Sequence, residues 1–118
     1  MVLGSSLHVS DNMLVITIHE PVTTEQRAAL VRDINLLLEE HKPAGLVLSV
    51  TAAAAAATAA TVSVVLRVHR HCTDNGLPMT VATPPAAARY LIKANQPTLP
   101  VHTDTHDALQ AARTLLRR

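Results

Sequence analysis

Histidine and cysteine side chains, common ligands of transition metals, are concentrated in two parts of this 118-residue sequence. His69, His71 and Cys72 form one group, while His102 and His106 form a second. On a helix, His69 and His71 would project about 200° apart, so they would not converge on one ion. His102 precedes the predicted start of a helix, so it need not share a helix face with His106. Because a structural zinc ion needs four converging ligands, we expect no metal site and no cofactor.

A nucleophile, a base and an acid can be drawn from Ser49, His69 and Asp74, with Cys72 as a second nucleophile. The seven histidines of this short chain make such combinations frequent by chance, and no Gly-x-Ser-x-Gly turn surrounds Ser49. Cys72 falls on the apolar stripe of a predicted helix, a position typical of a small buried side chain and not of a redox thiol. A small histidine-dependent enzyme is therefore the last of our functional alternatives, and we expect no catalytic residues.

Charge and aromatic content exclude nucleic acid as a partner. Ten Lys and Arg against nine Asp and Glu give a net charge of +1, which is too little to hold the phosphates. Tyr90 is the only aromatic residue, so the chain has no platform on which bases could stack. We expect Tyr90 to cover a sheet edge from a helix surface instead of anchoring a ligand with Arg89 and Lys93.

The sequence also leads us to expect no targeting signal and no internal disulfide. One cysteine excludes an internal disulfide framework. The longest uninterrupted apolar run covers residues 52–57, far less than a membrane span. The first six residues, Met-Val-Leu-Gly-Ser-Ser, lack the basic and apolar regions of a secretory signal. We therefore expect a cytoplasmic protein with no membrane partner.

Hydrophobic periodicity and turn residues predict the elements that would position any site. Strands are expected at 7–10 and 13–18, paired as a hairpin through the turn formers Asp11 and Asn12, and at 46–50, 79–82 and, at an edge, 99–101. Helices are expected at 24–41 after Thr23 or Thr24, at 62–75 before Gly76, after Pro85, and after Thr103 or Asp104. The alternation predicts one α/β domain over residues 1–118, with a mixed sheet of four or five strands and four helices. The first two helices should lie on one face of the sheet.

The segment from Thr51 to Ala60 contains eight alanines and two threonines. Alanine is the strongest helix former, so composition alone would extend the helix at 62–75 backward through this segment. Tertiary contacts can override propensity, so the sequence leaves both a helix and a loop open here.

The order and separation of these segments resemble the STAS domain, the fold of bacterial anti-sigma factor antagonists. Residues 64–70 (Val-Val-Leu-Arg-Val-His-Arg) look like the helix after the signature loop of the family, and residues 75–81 look like its turn and strand. Residues 87–92 resemble the following short helix, and 99–101 with 107–109 resemble the closing segment. The resemblance covers nearly the whole chain and implies a single STAS-like domain.

The signature Asp-Ser-Ser-Gly, whose first Ser is phosphorylated in family members, is missing. Anchoring the resemblance on the helix places Ala59 at the acceptor position, whereas anchoring on the preceding strand places Thr58 there. Ser49 stands where the family has Asp at the end of that strand. Of the Gly-Glu-Leu-Asp usual after the second strand, only Glu20 is present. We therefore expect no standard phosphorylation switch, with Thr58 as the remaining candidate acceptor.

The resemblance implies a protein that binds an anti-sigma factor, often one with a kinase fold, and so regulates transcription. The implied contact surface comprises Thr58, Ala59, Ala60, Thr61 and Val62. The alternative within this fold is a degenerate regulatory domain that binds another protein or a small apolar ligand. The sequence leaves open whether the chain is a monomer or a homodimer.

Overall fold

The chain forms a mixed five-stranded sheet with four α-helices in a computed structural model that describes residues 5–56 and 58–116. The strands are β1 (Ser5–Ser10), β2 (Met13–Ile18), β3 (Gly45–Val50), β4 (Met79–Ala82) and β5 (Val101–His102). The helices are α1 (Arg27–His41), α2 (Thr58–Asp74), α3 (Ala86–Asn95) and α4 (Thr105–Leu116). A 3₁₀ turn, Ala54–Ala56, precedes α2. The predicted α/β class, mixed sheet and helix number are confirmed.

The two N-terminal strands form a hairpin. Strand β1 pairs antiparallel with β2, from Ser5 opposite Ile18 to Ser10 opposite Met13. Asp11 and Asn12 connect them with φ angles of 50° and 65°. Two consecutive positive φ angles are the mark of a type I′ turn, whose twist suits a two-residue hairpin, so the sequence prediction of a turn here is confirmed.

The remaining strands are parallel, and the sheet order follows the chain order β1-β2-β3-β4-β5. Helices α1, α2 and α3 each connect one parallel strand to its neighbour, always in the same direction across the sheet. Because such crossovers are right-handed, all three helices are placed on one face. The observed contacts of α1 with α2, and of α2 with α3, confirm that the first two helices share a face.

The larger core lies between this helical layer and the sheet. Alternate strand residues point toward the helices, because side chains on a strand alternate between its faces. The strand residues of this core are Leu14, Ile16, Ile18, Leu46, Leu48, Val50, Met79 and Val81. The helices contribute Leu30, Ile34 and Leu38 from α1, Val65, Val68 and Cys72 from α2, and Ala88 and Ile92 from α3.

Among the described elements, helix α4 alone covers the other face, and it presents small side chains to it. Ala108 and Ala112 are fully buried against a second cluster that contains Met13, Val15 and Val47. Thr80 on β4 donates a hydrogen bond of 2.8 Å to the carbonyl oxygen of Ala108. The small residues let the helix approach closely enough for this direct contact between a strand side chain and the helix backbone.

Helix ends agree with the predicted caps at two positions and differ at a third. Gly76 has the expected left-handed φ of 66° after α2, and the Asp104 carboxylate caps α4 by accepting from the amide of Asp107 at 2.9 Å. Helix α1 begins at Arg27 and not at Thr24. Thr23 and Gln26 instead exchange side chain–backbone hydrogen bonds that close a separate turn before the helix.

Candidate partner-binding surface

Strands β2 to β5 are parallel, so their carboxyl ends meet at one edge of the sheet. Ligand sites of open α/β sheets occur at this edge, because the loops that leave the strands converge there. The segment from Thr51 to Val62, which carries the predicted contact residues, leaves β3 at this edge.

Thr51 fixes the start of the segment. Its amide donates to the carbonyl oxygen of Ile18 at 3.1 Å, and its hydroxyl donates to the carbonyl oxygen of His19 at 3.2 Å. The same hydroxyl accepts from the amide of Ala54 at 3.2 Å, as a helix N-cap does. One threonine therefore ties the end of β3 to the loop after β2 and starts the 3₁₀ turn.

The alanine segment is divided: residues 51–56 precede α2, whereas Thr58, Ala59 and Ala60 belong to its first turn, so α2 begins four residues before the predicted residue 62. Ala54 and Ala55 are buried, whereas Ala52, Ala53 and Ala56 are exposed. The question left open by the sequence is answered by a short 3₁₀ turn over Ala54–Ala56 before the helix. Helix propensity alone favours a continuous helix, but burial of two methyl groups and the hydrogen bonds of Thr51 select the turn.

Thr61 joins this turn to the first turn of α2. Its hydroxyl donates to the carbonyl oxygen of Ala54 at 3.0 Å, and the side chain is only 4% exposed. Val62 is buried as well, with 8% of its surface exposed. Thr61 therefore lies beneath the contact surface and stabilises it, and its hydroxyl is not accessible to a partner.

Ala59 and Ala60 are the predicted contact residues with the more accessible side chains. Ala59, the second residue of α2, is exposed, and Ala60 is half-buried. Thr58 begins the helix, and its side chain lies outside the described residues. With Ala52, Ala53 and Ala56, Ala59 presents uncharged methyl groups on the segment that leads into the helix. We call these four exposed alanines the methyl surface.

The loop after β2 borders the same edge. His19 Nε2 is 2.7 Å from the hydroxyl of Ser6, which holds the loop against β1. Glu20, which matches the STAS pattern of this loop in the sequence resemblance, is exposed. Its carboxylate is therefore accessible to a partner at the carboxyl edge of the sheet.

A small cavity lies beneath the surface, with Thr83 on its wall. The cavity measures about 10 Å³ and is lined largely by apolar side chains, including Val50 and Ala55. The fully buried Thr83 hydroxyl has no hydrogen-bond partner among the described residues. This volume is about that of one water molecule and is too small for an apolar ligand. Sequence reasoning missed Thr83, because a threonine before Pro84 is typical of an exposed loop.

A larger groove of about 470 Å³ runs between α2 and the end of α3. Ala59, Val62 and Leu66 provide its apolar part, and Arg67 and Arg70 provide two positive charges. Sequence reasoning missed this groove too, although the three-residue spacing of the two arginines places them on one helix face.

The side chains considered for catalysis are not brought together. Ser49 lies on the α4 face of the sheet, where its hydroxyl is 2.8 Å from that of Thr105. His69, Cys72 and Asp74 belong to α2 on the opposite face. Burial raises the pKa of the Cys72 thiol to about 12, so the fully buried sulfur is protonated at neutral pH.

The histidine groups are separated as well. His102 lies on β5 and His106 in the first turn of α4, so they do not share a helix face. Partial burial lowers the pKa of His69, whose Nδ1 has no partner in the described part of the chain. Within residues 5–56 and 58–116, no three His, Cys, Asp or Glu side chains are grouped so that they could hold a metal ion.

Helix α3 carries three side chains that the sequence suggested as a ligand anchor. Arg89 donates to the carbonyl oxygens of Thr83 and Pro84, and Lys93 donates to that of Leu99 at 3.1 Å. Both side chains therefore hold the backbone of loops next to α3 by hydrogen bonds. Tyr90 is 73% exposed and does not cover the sheet edge, so that expectation is wrong. The apolar positions of α3 that face the sheet are Ala88 and Ile92, which leaves Tyr90 on the outer side.

Comparisons with known proteins leave the family open. Neither a scan against protein-family models nor a search of curated proteins found a match to this chain.

The described helices are all too short or too polar to cross a membrane.

Proposed function

We propose that this chain is a protein-interaction domain of the anti-sigma factor antagonist type, which binds an anti-sigma factor and so releases a sigma factor for transcription. The sequence resemblance motivates the proposal. The observation that carries it is the position of the α2 N-terminal turns. They stand at the carboxyl edge of the parallel strands, with Ala59 exposed and with Thr51 and Thr61 holding the segment in place. Because such partners act in the cytoplasm, we place this protein there.

The methyl surface supports binding that does not depend on a phosphate. A phosphorylated hydroxyl at a helix N-terminus adds a charge of about −1.5 to −2, which can break an interface by repulsion. Ala59 has no oxygen to accept the group. Binding through the methyl surface is therefore constitutive and is set by the amount of each protein.

Calorimetric titration against the anti-sigma factors of the host, including those with a kinase fold, tests the proposal. We expect one of them to form a complex and Ala59→Glu to abolish it by placing a charge in an apolar contact. Ala28→Glu is the matched control, since Ala28 is also the exposed second residue of its helix. Glutamate is favourable in the first turn of both helices, so neither variant should unfold. Absence of any complex, or equal loss in both variants, contradicts the proposal.

Phosphorylation is tested separately by incubation with ATP and an anti-sigma kinase, followed by intact-mass measurement. We expect no added phosphate. A single phosphate that disappears in Thr58→Ala would show that Thr58 is the acceptor and that binding is switched after all.

A further inference from the structure

The groove between α2 and α3 is the strongest feature that the resemblance leaves unassigned. It extends along α2 from Ala59 to Arg70, a distance of about 16 Å at 1.5 Å per residue. The exposed Ala59 and the half-buried Leu66 line it together with the edge of the nearly buried Val62, and Asn95 lines it from the end of α3. The apolar part of the groove, from Ala59 to Leu66, is therefore about two helical turns long, and the two arginines continue the groove for about one more turn.

Both charges in the groove are positive. Arg67 and Arg70 line it, and no Asp or Glu is among the described residues of its lining. Neither guanidinium forms an ion pair within 4 Å among the described residues, unlike Arg113, which lies 2.6 Å from Asp11. Glu39 lines the neighbouring groove between α1 and α2, which shares Arg67, but it does not pair with that arginine. Two unpaired guanidiniums at the border of an apolar strip are complementary to carboxylates that flank apolar side chains.

We propose that this groove binds an acidic amphipathic α-helix of the protein partner. Apolar residues of that helix at i, i+3, i+4 and i+7 would cover Ala59, Val62 and Leu66, while Glu or Asp beside them pair with Arg67 and Arg70. The inference rests on the proposed function, because the groove begins at Ala59 within the proposed contact surface. It adds the chemistry of the partner, which the methyl surface alone does not specify.

The shape of the groove favours a helix over a free anion or a second copy of the chain. A small anion would engage the two arginines but would leave the apolar strip uncovered. A second copy would have to bring an acidic helix whose apolar side is exposed. Helix α1, which carries Glu39, exposes one large apolar side chain, Leu36, and so lacks such an apolar side. Glu39 itself lines the other groove, between α1 and α2. We therefore commit to a different protein as the occupant.

Two synthetic peptides of about 15 residues provide the probe, long enough for the three turns of the groove. Both carry Leu at i, i+3, i+4 and i+7; one has Glu and the other Lys at the flanking positions. Amide shift changes in the ¹⁵N-labelled chain map the site, and fluorescence anisotropy measures affinity. We expect only the Glu peptide to bind, with changes confined to residues 59–70 and 95–96, and binding to weaken with salt. No binding, equal binding of both peptides, or changes elsewhere would overturn the proposal.

Charge reversal sharpens the test. Arg67→Glu with Arg70→Glu should weaken the Glu peptide at least about tenfold and allow the Lys peptide to bind, because rim charges select the partner by attraction and repulsion. Arg32→Glu, an exposed arginine of α1 outside this groove, is the matched control and should change neither affinity. If the double reversal lowers helicity, Arg67→Gln with Arg70→Gln keeps the polar bulk and should still weaken the Glu peptide. An effect no larger than that of Arg32→Glu would overturn the proposal.

Failure of the groove and failure of the proposed function give different results. If an anti-sigma factor binds the double reversal as tightly as the unchanged chain, the groove is excluded while the function stands. If no anti-sigma factor binds but the Glu peptide does, the groove stands and the function fails. A dimer of this chain in sedimentation velocity that dissociates in Arg67→Glu would assign the groove to a second copy and overturn the proposal of a different partner.

Discussion

The two faces of the sheet are covered by the same kind of element but with different side chains. On one face, three helices bring large aliphatic residues such as Ile34 and Ile92 against Leu48 and its neighbours. On the other face, α4 contributes Ala108 and Ala112, and hydroxyls take part in the contact. The first face buries large apolar volume, whereas the second achieves a close approach with hydrogen bonds.

This difference also locates the candidate binding surfaces. Three helices side by side leave grooves between them, and both interhelical grooves described above involve α2. The helical layer can therefore present grooves of mixed apolar and charged lining to a partner while its inner side retains the larger core. The packing of α4 on the sheet depends on small side chains and specific hydrogen bonds. We therefore expect larger side chains to destabilise the α4 face and truncated side chains to destabilise the helical layer.

The largest effect is expected from Leu48→Ala on the three-helix face. Leu48 is fully buried in the larger core, and the truncation leaves a cavity that the surrounding helices cannot fill. We expect a loss of about 3 to 4 kcal/mol in the free energy of unfolding measured with urea. Leu36→Ala, at an exposed position of α1, should cost far less. Similar losses for both variants would show that the helical layer is not the main core.

The α4 face should respond most strongly to added volume. Ala112 is fully buried, so Ala112→Leu has no room and pushes α4 away from the sheet. We expect a loss of about 1 to 3 kcal/mol in the free energy of unfolding. Gln110→Leu adds a leucine on the exposed side of the same helix and should be nearly neutral. A stable Ala112→Leu variant would indicate that α4 is loosely packed.

Replacing Thr80 or Thr83 with valine compares the two faces of the sheet by the same substitution. Both are fully buried, but the Thr80 hydroxyl donates to Ala108 whereas that of Thr83 has no partner among the described residues. We expect Thr80→Val to cost about 1 kcal/mol and Thr83→Val to be neutral or stabilising in thermal unfolding. A comparable loss for Thr83→Val would indicate a bound water in the cavity beside it.

The smallest effect is expected for the ion pair between Arg113 and Asp11. It joins α4 to the hairpin turn, and the Asp11 side chain is 71% exposed. Exposed pairs contribute little, so a double-mutant cycle with Asp11→Asn and Arg113→Gln should give a coupling of about 0.2 to 1 kcal/mol that salt removes. A larger, salt-independent value would show that the pair holds α4 in place.

Several elements followed directly from residue pattern. Strands β2 and β4 have the predicted bounds, because β-branched and apolar runs between turn residues favour an extended chain whatever covers it. The hairpin turn and the Gly76 cap also followed from the sequence, since both need φ angles that few residues adopt readily. The starts of helices were less predictable: α1 begins three residues later than expected because Thr23 and Gln26 form their own turn.

The sequence by itself determined the α/β class, the order of the elements and the face shared by α1 and α2, since periodicity, turn residues and right-handed crossovers are local or topological rules. Tertiary structure alone decided which alanines of the segment 51–60 are buried and that Thr61 serves the turn instead of the surface. It also decided that Arg67 and Arg70 line one groove together with Ala59, Val62 and Leu66. These features depend on contacts between residues distant along the chain, and identical methyl groups carry no sequence signal of which side will meet the core.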